Sequence, residues 1–179
     1  MIKKSYPHYA DSFFILPGRI AWLTIRTDLN TIIELDKQEI KAFAIKDGDS
    51  LMIFDKVAAI DSSRYFIVLV PAVSGKYALY RDLRTRFVKS DYHSDGMTES
   101  GNPYDEYVDN NIYYVVLPGG IKAIRLEMNK KYIKNIIPKE NNKVSKFFSK
   151  HRYDEINETL LKDLINYLND TPVSLLTTN

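Results

Sequence analysis

RYFIVLVPAVSGKYALYRD, Arg64 to Asp82, is the stretch on which the fold turns. Tyr65 to Val70 is an unbroken run of aromatic and branched residues, the composition of a strand covered on both faces. Lys76 to Arg81 alternates instead, setting Tyr77, Leu79 and Arg81 against Ala78 and Tyr80 at the period of a strand. Pro71 has no amide to donate and so ends the first ladder, while Ser74-Gly75 supplies a tight return. The two strands therefore make a hairpin from which a core can be built.

Upstream, Phe13 to Leu16 closes on Pro17-Gly18, and Ile20 to Thr27 alternates, which together predict a first hairpin. Thr31 to Leu35 is a further strand. Ile40 to Ile45 and Leu51 to Phe54 flank Asp47-Gly48-Asp49, a hairpin turn because glycine tolerates the positive φ that tight turns require. Val57 to Ile60 leads through Asp61-Ser62-Ser63 into the central hairpin. Downstream, Thr85 to Lys89 continues the sheet, whereas Ser90 to Asn111 carries six carboxylates and few aliphatics and reads as a long surface loop or an excursion at a sheet edge. Ile112 to Leu117 and Ile121 to Leu126 form a last hairpin about Pro118-Gly119-Gly120.

The period then changes. Asn129 caps a short helix with Tyr132, Ile133, Ile136 and Ile137, stopped by Pro138. A second helix, about Lys139 to Lys150, gathers Val144, Phe147 and Phe148, with His151 just beyond its end. Asn157 caps a third, in which Leu160, Leu161, Leu164, Ile165 and Leu168 recur at three- and four-residue spacing. Strands followed by helices predict an α+β fold: a mostly antiparallel twisted sheet or partial barrel capped by two or three C-terminal helices. Its parts are a β-rich body over 1–128 containing the acidic loop 90–111, a helical cap over 129–170, and a frayed tail over 171–179.

Composition narrows the classes. At 179 residues and 45% hydrophobic, with 13 tyrosines and 8 phenylalanines, the chain fits one domain with a sizeable core. It has no cysteine, which excludes a disulfide framework, a thiolate metal site and a cysteine nucleophile. Met1-Ile2-Lys3-Lys4 looks like the charged start of a signal segment, but Ser5 to Asp11 interrupts it before any apolar stretch. No run approaches the roughly 18 apolar residues of a membrane helix. The formal charge of +2 conceals a split, since Lys122 to Arg152 holds ten Lys/Arg against two acids, +8, and leaves −6 for the remainder.

Ile40-Lys41-Ala42-Phe43 with Asp47-Gly48, Val73 to Tyr80, and Leu164-Ile165-Asn166-Tyr167-Leu168-Asn169 resemble a set of uncharacterised envelope proteins of Gram-negative bacteria, over roughly 40 to 169. In these a β-rich half precedes a lysine-rich helical tail. The resemblance implies periplasmic or secreted life with a signal segment removed, and implies no activity. Without it the chain reads as cytoplasmic.

Three groups of residues are candidates for chemistry. Asp91, His93, Asp95 and Glu99 echo a calcium loop, with ligands at alternate positions and Gly96 at the sixth. However, His93 is a poor calcium ligand, and Asn102 stands where a bidentate glutamate is needed. His8, His93 and His151 are too scattered to make a zinc site by local spacing, and His151 suits the negative end of a helix. Lys139, Lys143, Lys146 and Lys150, spaced four, three and four, form one cationic helical stripe, suited to phosphates, lipid headgroups or an acidic partner. No nucleophile elbow or phosphate loop is present, and no motif calls for a cofactor. The expected function is a non-enzymatic binding or assembly module of the envelope with a protein or other envelope component as partner. The alternatives are a cation-dependent ligand binder or small enzyme centred on 90–111, and, ranked last, a cytosolic nucleic-acid binder using the basic helix.

Overall fold

The computed structural model describes residues 12–16, 19–26, 32–36, 38–47, 49–137 and 140–170. Met1 to Lys4, His8, Pro17-Gly18, Gly48, Pro138, Lys139 and the tail from 171 lie outside the described residues. The chain divides into two compact units, Met1–Ile53 with Asp82–Asn111, and Phe54–Arg81 with Ile112–Asn179.

The first unit opens with β1 (Ser12–Leu16), β2 (Arg19–Arg26) and β3 (Ile32–Leu35), paired antiparallel in that order with a bulge at Phe14/Ile15. β4 (Ala42–Asp47) follows, then β5 (Ser50–Val57), whose second half belongs to the other unit.

The second unit is organised around β6 (Asp61–Val70) and β7 (Ala78–Asp82), the hairpin read from Arg64 to Asp82. β6 begins four residues before the apolar run does. Asp61 accepts from the backbone and hydroxyl of Ser63 at 2.9 and 2.7 Å, which lets a polar segment enter the ladder directly from the Val57 to Ile60 turn. β6 stops at Val70, before Pro71. In the return, Lys76 N donates to Val73 O at 3.0 Å with Gly75 at φ 73°, the third position of a type II turn.

In the excursion after β7, β8 (Thr85–Val88), β9 (His93–Ser94), β10 (Glu99–Ser100) and β11 (Glu106–Asp109) pair as β8 with β11 and β9 with β10. β12 (Ile112–Val116) and β13 (Ala123–Leu126) form the last antiparallel hairpin. Among the described residues the main sheet has the order β13-β12-β7-β6-β5-β4 and does not close into a barrel. α1 (Lys130–Ile136), α2 (Asn141–Lys150) and α3 (Glu158–Asp170) complete the α+β fold.

The ladder registers fix the faces. Ile67 opposes Arg81 and Val68 opposes Tyr80, so alternate residues of the hairpin serve opposite sides of the sheet. On one side Val70, Tyr77, Leu79, Val115 and Leu126 meet Ile133 and Ile137, Val144, Phe147 and Phe148 of α2, and the leucine stripe of α3. On the other, Val57, Phe66, Ala78, Tyr80 and Val116 form a second buried cluster. Two apolar faces explain why β6 shows no polar alternation beyond Arg64.

Candidate functional site

The acidic segment 90–111 folds into a β-ribbon that uses its own carboxylates as mortar. At the tip, Asp95 accepts from Met97 N at 3.0 Å, Thr98 N at 2.7 Å and Thr98 Oγ1 at 3.0 Å. These bonds hold the Asp95 carboxyl below its ordinary range, because each favours the ionised form. Further down, Asp91 Oδ1 accepts from Asn102 N at 2.6 Å, Asp105 Oδ1 from Ser90 N at 2.7 Å, and Glu106 Oε1 from Asn102 Nδ2 at 2.7 Å. Gly101 has φ 86°, and a Cβ there would stand 2.5 Å from Asp91 O, so the crossing of the two arms needs glycine.

This register separates the calcium-like residues. His93 lies opposite Ser100 and Ser94 opposite Glu99, so His93 and Glu99 point to opposite sides of the ribbon. Asp91 and Asp95 are meanwhile bonded to backbone amides. Among the described residues no group of three or more His, Asp or Glu side chains is placed to hold a metal ion.

What the ribbon does present is aromatic. Phe87 and Tyr107 face each other across β8 and β11 with ring centroids 5.3 Å apart, both exposed. Tyr92, Met97 and Tyr104 are exposed further along it, Met97 at 95% and Tyr104 at 75%. Among the described residues β8 and β11 form a two-stranded sheet, so the outer edge of each has no ladder partner.

Three of the stripe's four lysines lie among the described residues. Lys139 lies outside the described residues, and Lys143 is paired with Glu140 at 2.9 Å. Lys146 and Lys150 stand exposed on α2, whose opposite face buries Val144, Phe147 and Phe148. His151 caps that helix, stacks on Phe147 at 4.4 Å and contacts Asp154 at 2.7 Å.

Two polar clusters that local spacing does not reveal join the helices to their surroundings. Arg81 Nη1 meets Glu158 Oε2 at 2.7 Å, Lys162 meets Glu158 Oε1 at 2.9 Å, and the Tyr113 hydroxyl donates to Oε2 at 3.3 Å. Burial opposes ionisation of Glu158, but the Lys162 hydrogen bond and the charges of Arg81 and Lys162 prevail and hold its carboxyl below the usual range. A carboxylate so engaged is a poor proton acceptor and a good tie between α3 and the sheet. Lys130 Nζ donates to the carbonyls of His151, Arg152 and Asp154 at 2.7, 3.1 and 2.6 Å, satisfying carbonyls left over where α2 ends.

Among the described residues two buried side-chain polar atoms lack a hydrogen-bond partner, Asp55 Oδ1 and Arg81 Nε. Asp55 opposes Phe66 while Arg81 opposes Ile67, so they lie on opposite faces of the sheet and cannot act together. No described helix is long and apolar enough to cross a membrane. No family model, curated protein or solved structure matches this chain.

Proposed function

We propose that the protein is a non-enzymatic binding module whose β8/β11 ribbon docks a cationic protein partner. On the resemblance of residues 40 to 169, its place of work is the bacterial envelope. The observation that carries the reading is the combination of exposed Phe87, Tyr92, Met97, Tyr104 and Tyr107 with six carboxylates and no Lys or Arg over residues 90–110. Tyrosine and phenylalanine supply contact area at small entropic cost, and this ribbon is held in shape by its own hydrogen bonds before any partner arrives. The carboxylates steer a positively charged surface toward it.

The alternatives have less behind them. A cation-dependent site or small enzyme at 90–111 needs carboxylates such as Asp91 and Asp95 that the ribbon's backbone already engages, and in the nucleic-acid reading Lys143 is already paired with Glu140.

The test places a photo-crosslinking amino acid at Tyr104 and, as comparison, at Tyr153, which is also exposed. Titration of the captured protein, once purified, against the wild type and a Tyr104→Ser/Tyr107→Ser variant follows. The expected result is a defined adduct from position 104 alone and an affinity reduced about tenfold or more, as for loss of interface aromatics. Equal capture from both positions, or unchanged affinity, overturns the proposal.

A further inference from the structure

At one end of the main sheet two hairpin tips lie side by side. β7 and β12 are neighbours in the sheet. Asn110 N donates to Arg84 O at 2.8 Å and Arg84 N to Asn111 Oδ1 at 3.2 Å, so the segment leaving β7 lies beside the one entering β12 and the two strands run antiparallel. The turn before β7, Pro71 to Lys76, and the turn after β12, Pro118 to Lys122, therefore share one end. Every residue of both turns is exposed.

Each tip carries the same pair of side chains. Val73 is 55% exposed with Lys76 three residues on, and Ile121 is 90% exposed with Lys122 beside it. A single exposed aliphatic is ordinary, but two on adjacent tips, each accompanied by a lysine, are an arrangement. The Asn169 side chain binds Tyr77 at this end. Around them, the unit Phe54–Arg81 with Ile112–Asn179 holds 15 Lys/Arg and 9 Asp/Glu, a net +6.

We propose that Val73 and Ile121, with Lys76 and Lys122, form a seat for an anionic lipid surface. The aliphatic tips enter the headgroup layer and the ammonium groups remain among the phosphates. A deformable headgroup layer can close around turns whose residues are all exposed. The seat lies on the other unit from the ribbon and stands or falls separately from the docking proposed for it.

The experiment is sedimentation of the full chain with vesicles of equal parts phosphatidylglycerol and phosphatidylcholine, and with phosphatidylcholine alone. The chain has no cysteine, so Ile121→Cys accepts a single polarity-sensitive dye, with Lys146→Cys as comparison. Expected are sedimentation with the anionic vesicles only and a blue shift of the dye at 121 but not at 146. Val73→Asp/Ile121→Asp lowers partitioning about tenfold or more, and Lys76→Gln/Lys122→Gln lowers it about fivefold per lysine. Absence of vesicle binding, an unshifted dye at 121, or binding lost on Lys146→Gln/Lys150→Gln and kept by the Asp variant each overturns the proposal. The dye does not depend on the Asp variant folding.

Discussion

The Asn169 side chain meets both polar atoms of one backbone residue, accepting from Tyr77 N at 2.8 Å and donating to Tyr77 O at 2.9 Å. It does for Tyr77, one residue before β7, what a ladder neighbour does for residues within a strand. Asn169→Leu removes both bonds and leaves a half-buried amide and carbonyl without partners. The expected loss is about 1–3 kcal/mol in denaturant unfolding, the cost of leaving such groups unmet. Asn169→Asp keeps the acceptor but turns a carboxylate toward the Tyr77 carbonyl, so it does not restore stability. Lys130 acts similarly at the end of α2, but two of its three bonds are exposed and water can replace it there.

At the scale of the element, the ribbon is the part most open to test. Gly101→Ala sets a Cβ against Asp91 O and demands a left-handed conformation, whereas Gly96→Ala at φ 84° meets nothing within 4 Å. Amide hydrogen exchange over 91–106 is expected to rise markedly in Gly101→Ala and only slightly in Gly96→Ala, with α3 unchanged in both, as for local opening. Equal behaviour of the two variants contradicts the tight crossing described here. The same contrast explains what could be read beforehand. Asn129 and Asn157 were legible as caps because each bonds amides two or three residues away, Lys131 and Tyr132 for one and Leu160 for the other. The central hairpin was legible because alternation and Pro71 act locally. β9 and β10 were not, since two polar residues apiece carry no period and are held by side chains reaching across the loop. Nor were the pairings of Glu158 with Arg81 and of Asn169 with Tyr77, which span 77 and 92 residues. The calcium-like spacing came from counting along the sequence, and cross-strand register decided which of those side chains share a side.

For the whole molecule, titration and charge set the working range. Glu158 has a depressed carboxyl in the folded chain, so the stability it adds is present above the unfolded value of roughly 4.3 and is lost as pH falls through the folded one. Tyr77, Tyr80 and Tyr113 are shifted up, first by burial and then by Glu140, Asp55 and Glu158 respectively, while Arg81 partly offsets the shift of Tyr113. Their folded forms keep protons that the unfolded chain releases, so stability falls as pH climbs beyond about 10. Denaturant midpoints across pH are expected to form a plateau with both shoulders. Glu158→Gln should weaken the acid one, and an unchanged acid limb would exclude the Arg81–Glu158–Lys162 tie as its source.

The clasp on Tyr77 also bears on how the polypeptide is made. A ribosome delivers Tyr77 long before Asn169, and the intervening excursion separates the two segments that build the helix-covered core. That core closes only after the last helix has left the exit tunnel. Until then the nascent hairpin exposes Val70 and Leu79, making a chaperone's grip most useful between the synthesis of β7 and that of α3.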